Sequence, residues 1–269
     1  MSYLPRLDAA MTADWPDADW PDLVAEFDRW GEAGRVATLW WRDDDAIAAT
    51  PRLDDLLLLA GKAPVGLAVV PALARPDLAA ALASAPAVAV LQHGWQHRNR
   101  AGDGRKSEYP GTRSASRVGA EVAAGRARLT ALFGSRALCV FVPPWNRFAP
   151  ELLPVLAGSG VTGLSTLASE RLETLPAGLA ALDVHVDVVD WKGGRGFVGI
   201  GAALGRLVGC LRAHRIDDPV RLGTSRGPVG ILTHHLVMDR ATAGFLASLT
   251  ALIATHPGAR WTSVTERLQ

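Results

Sequence analysis

Cysteine is almost missing from this chain. Cys139 and Cys210 are its only two, too far apart to suggest a disulfide framework or a cysteine zinc site. Long hydrophobic runs are missing too, since none approaches the ~18 residues that cross a bilayer. No sign of charge dominates: 28 Lys and Arg against 27 Asp and Glu leave a net +1. Nothing electrostatic therefore favours nucleic acid or an anionic membrane as partner. The opening stretch MSYLPRLDAAMTADWPDADWPD lacks the basic and apolar regions of a signal peptide, and a cytoplasmic location is the expectation. There is no repeat of fixed period, and no low-complexity tract beyond an Ala-rich patch near residue 80.

What is present is a globular balance, 49% apolar and 20% charged over 269 residues, enough for one α/β domain with a large core. Residues 1–34 read as a polar lead-in packed on that domain, and residues 35–269 as the domain itself. From residue 35, short apolar runs alternate with helical patterns. RVATLWW (35–41) is an expected strand closed by Asp43, Asp44 and Asp45. Residues 50–62 have the marks of a helix, with Thr50 as N-cap, Pro51 next and Gly61 near the end. Strands follow at 63–71, 87–92, 137–142, 161–167, 182–191 and 227–235. Helices are expected at 75–85, 115–133, through APELLPVLAGSG, and at 199–215 and 240–255. ARWTSVTE reads as a last extended run. Unbroken β–α alternation implies parallel strands with helical crossovers.

Five polar clusters fall at the C-terminal ends of these strands: Asp43–Asp45, His93 with His97, PPWN (143–146), Asp190–Trp191, and His234 with His235. In a (β/α) barrel those ends converge on one face, where active sites are built. His93 and His97 alone are a weak signal, because HxxxH is common, and Gly94 excludes the H-E-x-x-H of zinc proteases. A carboxylate arriving from another strand end changes this. Two imidazoles and one carboxylate form a set that leaves positions of a divalent metal, zinc above all, open for water and substrate. A metal so held acidifies its water towards neutrality, while a nearby carboxylate and a histidine across the site can move protons. That is the equipment of metal-assisted amide or ester hydrolysis.

The order RDDD, HGWQH, FVPPWNR, DWKG, ILTHH and a closing RWTSVTERL resembles the NodB-type polysaccharide deacetylases over about residues 35–269. The resemblance implies a distorted (β/α) barrel of about seven strands. It also implies a metal-dependent hydrolase that removes N- or O-linked acetyl groups from small or oligomeric carbohydrate. By motif, Asp44 resembles the family's general base and Asp45, His93 and His97 its metal ligands, with Asp43/Asp44 as the alternative frame. PPWN points to Trp145 as the residue whose backbone N–H holds the oxyanion. DWK points to Asp190 as the acid that orients the catalytic histidine. ILTH gives His234 as that histidine, with His235 the adjacent alternative. Where the family often has an Arg before the proline pair, this chain has Val142; Arg42 and Arg147 are the candidates to stand in. The export signal common among relatives acting on cell walls is absent, which leaves room for other small C–N substrates, or for a sugar-binding barrel without turnover.

GRGFVG (194–199) matches G-x-G-x-x-G, but too little chain follows for a dinucleotide fold, and Asp217 and Asp218 precede the next strand rather than end it. GTSRG (223–227) matches G-x-S-x-G, but Pro228 and a strand follow where a nucleophile elbow needs a helix. His185, His214 and His256 have no partner at ligand spacing and read as structural. Trp95, Trp145 and Trp191 neighbour candidate site residues and could stack on a sugar ring.

Overall fold

Central strands of a parallel sheet are covered on both faces, so their sequences run apolar without alternation, and this chain follows that rule. The computed structural model describes residues 16–170, 172, 174–216 and 227–268. Its strands are β1 (Ala37–Ala46), β2 (Val65–Val69), β3 (Val88–His93), β4 (Ala137–Val142), β5 (Gly163–Leu164), β6 (Ala180–Ala181), β7 (Val186–Asp187), β8 (Val229–Thr233) and β9 (Ala259–Trp261). All pairings between them are parallel, in the order β6-β5-β4-β3-β2-β1-β8-β7, with β9 added beside the start of β1.

The helices that cover this sheet are α1 (Trp20–Glu32), α2 (Pro51–Ala60), α3 (Pro76–Leu82), α4 (Ala115–Phe133), α5 (Leu153–Gly158), α6 (Ile200–Ile216), α7 (Arg240–Thr255) and α8 (Val264–Leu268). Their ends follow local chemistry. Thr50 caps α2 by accepting from Leu53 N at 3.1 Å, and Gly61 ends it at φ +56°, a left-handed value that favours glycine. Asp19 and Asp22 form a reciprocal capping box on α1, which buries Leu23, Phe27 and Trp30 on one face. No helix among the described residues is long and apolar enough to cross a membrane.

The sheet curls into a distorted barrel. Its seam is the extended segment 180–188, whose backbone bonds to both edges: Ala180, Leu182 and Val184 donate to Thr162, Leu164 and Thr166, and His185 and Val188 donate to Gly230 and Leu232. Expected strands at 161–167 and 182–191 thus shrink to two-residue ladders, because the segment divides its hydrogen bonds between two neighbours. Inside lies a core built from β1–β4, β8 and the seam: Trp40, Ala68, Leu91, Val140, Val142, Leu182, Val184 and Leu232, plugged by Val264 of α8. Gly66 and Gly230 make room for the Trp40 ring, since a Cβ on either would press on it or its neighbours at under 3.0 Å. A larger core fills the space between β1–β3, β8 and the outer helices.

One expectation fails at the C-terminus. ARWTSVTE is not extended throughout; β9 stops at Trp261 and α8 begins at Val264. Ser263 and Glu266 exchange backbone-to-side-chain bonds at 3.1 Å, an S-x-x-E capping box that starts the helix. GRGFVG lies in a turn that folds back on Asp190 and leads into α6. Asp217, Asp218 and residues 223–226 of GTSRG fall outside the described residues; the segment after them continues as β8.

Candidate metal centre and active site

Along β1, side chains alternate between the barrel interior and the helix layer. Trp40, Arg42 and Asp44 share the interior side, while Trp41 and Asp43 face the other way. Arg42 and Asp44 are both buried and form a two-point ion pair, Nε–Oδ1 and Nη2–Oδ2 each at 2.9 Å. The guanidinium also donates to Ser165 Oγ at 2.7 Å and to Asn146 Oδ1 at 2.6 Å. Of the two candidates for the missing motif Arg, Arg42 is the one that holds Asp44. Arg147 instead donates to the Lys106 carbonyl and lies 3.6 Å from Glu170.

Asp45 breaks the alternation. Its φ of +74° is left-handed, and the β1–β2 register slips between Asp43 and Ala46. The carboxylate thereby swings to β3, where Oδ1 lies 3.1 Å from His93 Nε2 and 3.2 Å from His97 Nε2. Ligand atoms of these three residues all lie within 4.8 Å of one another.

Donor chemistry decides whether a cation fits. His93 Nδ1 lies 3.0 Å from the Val142 carbonyl, which accepts and so places a proton on Nδ1. Nε2 then presents a lone pair to a carboxylate oxygen unless something positive stands between them. Burial pulls the His93 pKa down, but Asp44 and Asp45 outweigh it and the net is upward. For His97, burial and then the neighbouring His93 lower the pKa. Burial pushes the Asp45 carboxyl up, yet His93, His97 and His234 together hold it far below the usual carboxylate range. An anionic oxygen facing two imidazoles, one easily protonated and one not, is an arrangement that a divalent cation satisfies.

The histidine loop is held by a residue that the sequence did not single out. Glu108, fully buried, accepts from the backbone N–H groups of Trp95 at 3.1 Å, Gln96 at 2.8 Å and His97 at 3.2 Å. The loop can wrap a carboxylate this tightly because Gly94 sits at φ +58°; a Cβ there would lie 2.3 Å from Glu108. His97 itself is left-handed at φ +54°. Its ring packs against Trp145, centroids 4.4 Å apart, and Trp145 and Asn146 are consecutive left-handed residues after the proline pair. Non-glycine residues in this region cost on the order of 1–3 kcal/mol each and collect at functional sites.

On the other side of β1, Asp43 is fully satisfied. Oδ1 meets His235 Nδ1 at 2.5 Å, and Oδ2 accepts from Thr233 at 2.6 Å, whose hydroxyl in turn accepts from Trp41 Nε1 at 2.8 Å. His234 has different surroundings: Trp191 meets its ring edge-on at 4.8 Å, and its buried Nδ1 has no hydrogen-bond partner. Asp190, expected to orient a histidine, accepts from Lys192 N and Gly193 N and shapes the turn instead. Two acids are in electrostatic contact with His234: Asp45, and Asp187, which also accepts from Trp191 Nε1 at 2.8 Å. Burial raises the Asp187 pKa, with His234 opposing. His256 pairs loosely with Asp28 and packs on Phe27, and the His185 and His214 rings meet edge-on, away from this cluster.

No family model and no curated protein matches the sequence. Solved structures do. A Mycobacterium smegmatis protein described provisionally as a polysaccharide deacetylase superposes with a TM-score of 0.65 at 15% identity, covering 95% of this chain and 93% of its own. The Puue allantoinase superposes at 0.60 and 14% identity, covering 99% and 97%. A family 4 acetyl xylan esterase from Clostridium thermocellum, solved with a cobalt ion, gives 0.50 and 14%, covering 85% and 89%. At identities this low, the likeness shows the fold alone.

Proposed function

Starting from the NodB-type deacetylase fold that the chain has, we propose that it is a divalent-metal-dependent hydrolase that removes an N- or O-linked acetyl group from a carbohydrate-type substrate. One observation carries this reading: three ligand atoms, from Asp45, His93 and His97, converge beside the buried Asp44. Those three residues would hold the cation, zinc by the donor set, although cobalt is what the esterase structure contains. When bound, it would supply Lewis acidity at the scissile carbonyl and make water more acidic.

The remaining chemistry belongs to the chain. Asp44 takes a proton from the attacking water, and Arg42 fixes the direction of its carboxylate. His234 gives a proton to the departing amine or alkoxide. In place of Asp190, Asp187 is the acid outside the ligand set that contributes to the field at that imidazole, with Trp191 limiting the ring's motion. The Trp145 backbone N–H serves the developing oxyanion, supported by its strained turn beside His97. Trp145 and the half-exposed Trp191 offer apolar faces to a sugar ring.

Acetate release from a panel of small N- and O-acetylated sugars, with and without chelator, tests this directly. Turnover that chelator abolishes and a divalent metal restores is expected; turnover indifferent to chelator sinks the metal's role. A second reading, hydrolysis of a small cyclic or linear amide, is favoured by the allantoinase likeness over nearly the whole chain. Including such amides in the panel separates the two. A sugar-binding barrel without turnover accounts less well for a base, three ligands and an acid gathered from the ends of β1, β3 and β8.

A further inference from the structure

The loop between β3 and α4 forms a polar feature that the proposed reaction does not use. A cleft of about 390 Å³ opens where its two ends meet, walled by Arg98, Arg100, Arg113, Arg117, Thr112 and Ser114. Asn99 completes the lining, and no acid belongs to it. Charges of the two signs almost cancel over the whole chain, yet this cleft is lined by four guanidinium groups and no acid.

Their neutralisation is uneven. Arg113 is fixed by Glu121 through two bonds, at 2.8 and 2.6 Å, and donates to the Glu108 carbonyl at 3.3 Å. Arg98, Arg100 and Arg117 have no carboxylate within ion-pair distance among the described residues; Arg100 finds only the Gln96 side-chain oxygen, at 3.0 Å. Three cations without an ion-pair partner, gathered in a concave site, repel one another, and an anion among them relieves that repulsion.

The 19-residue helix α4 starts at the same cleft. Its N-cap Ser114 spends its hydroxyl on Ser116 Oγ at 2.8 Å rather than on the helix, and no acid stands in the first turn. The leading N–H groups and the positive end of the helix dipole thus add to the arginines' field. Guanidinium forks, hydroxyls and free N–H groups together recognise the oxygens of phosphate or carboxylate. The volume suits a small ligand. Arg98 directly follows His97 along the chain, so one loop carries both a cleft residue and a candidate metal ligand.

From this we infer that the cleft binds the phosphate or carboxylate group of a small ligand, and that the substrate of the neighbouring site carries that group. The second half rests on the hydrolase reading above; the first does not. Calorimetric titration of inorganic phosphate, at fixed ionic strength, compares the purified protein with the triple variant R98A/R100A/R117A and with Arg240→Ala, an exposed arginine on α7, as control. Phosphate should bind the triple variant about tenfold or more weakly and the control normally. Equal affinity in all three, or no binding by the unaltered protein at millimolar phosphate, overturns the cleft; circular dichroism verifies that the variant is folded.

The source of the anion is read from KM for a neutral N-acetylated sugar and for its phosphorylated counterpart. A lower KM for the phosphorylated sugar, lost in the triple variant, is the expected result. Phosphate binding without that preference overturns the substrate half and makes the site one for a free anion. If neither sugar is cleaved, the hydrolase reading fails while the titration still judges the cleft.

Discussion

Asp43 with His235, and Asp45 with His93 and His97, are built from the same two residue types around the end of β1, yet their polar atoms meet different things. In the first group each carboxylate oxygen has its own partner: a 2.5 Å contact to the imidazole and a 2.6 Å bond from Thr233, with burial at 0–1% exposure. In the second, one carboxylate oxygen faces two imidazole nitrogens, and two of the three residues hold left-handed backbone. A satisfied buried pair fixes β8 to β1. A strained, partly open cluster whose single carboxylate oxygen is shared between two imidazoles is prepared for something from outside. Residue chemistry alone does not separate them; the sharing of carboxylate oxygens, the exposure and the backbone strain do.

The sharpest way to separate the two groups is through catalysis. Asp44→Asn and His234→Ala touch neither the satisfied pair nor the ligand set. Each should lower kcat by on the order of 10²–10⁴ with metal content unchanged. Asp43→Asn should leave kcat within a few-fold. A collapse of turnover in Asp43→Asn, with Asp45→Asn retaining its metal, would shift the base–ligand frame by one residue.

Next in size is Arg42→Met. It leaves the buried Asp44 carboxylate without its cation and removes a donor from Ser165 and Asn146, so a loss of about 3–5 kcal/mol is expected in denaturant unfolding. A variant as stable as the parent would mean that the pair contributes little.

Glu108→Gln is smaller and aimed at the ligand loop. It replaces one acceptor oxygen by a donor that clashes with backbone N–H groups, so it should weaken metal binding about 10–100-fold, the usual consequence of losing an outer partner. Unchanged metal affinity would reduce Glu108 to a loop anchor without influence on His97.

The smallest effect is a pH dependence in the satisfied pair. Burial lowers the His235 pKa, but Asp43's charge and hydrogen bond outweigh it and the net is upward. A raised pKa contributes stability that is complete below the ordinary histidine range and is lost as pH rises through the folded value. His235→Asn should therefore cost about 1–3 kcal/mol near pH 6 and less near pH 9, read from urea midpoints. A gap that widens with pH contradicts the assignment.

Much of this was legible beforehand, and the reasons differ by element. Thr50, Pro51 and Gly61 mark α2 through local chemistry, and the structure keeps each role except for slightly shorter ends. Strand ends carrying Asp43–Asp45 and His93 were visible as apolar runs giving way to polar clusters. The seam was not, because β5, β6 and β7 owe their brevity to barrel closure and not to their own sequence. The Ser263–Glu266 capping box was present in the sequence but masked by apolar alternation through Trp261. Asp45's swing depends on one left-handed residue that no periodicity reveals. Glu108 lies in an aperiodic loop, and nothing local distinguishes it from a solvated acid. Asp187 and Asp190 flank the same two valines, and only the packed turn tells which one faces His234.

Metal analysis of His97→Ala and His235→Asn, purified side by side without chelator, tests the central distinction most directly. About one equivalent of divalent metal in His235→Asn and almost none in His97→Ala is the result predicted. Full metal content in His97→Ala, or its loss from His235→Asn alone, would contradict the assignment of Asp45, His93 and His97 as the metal centre.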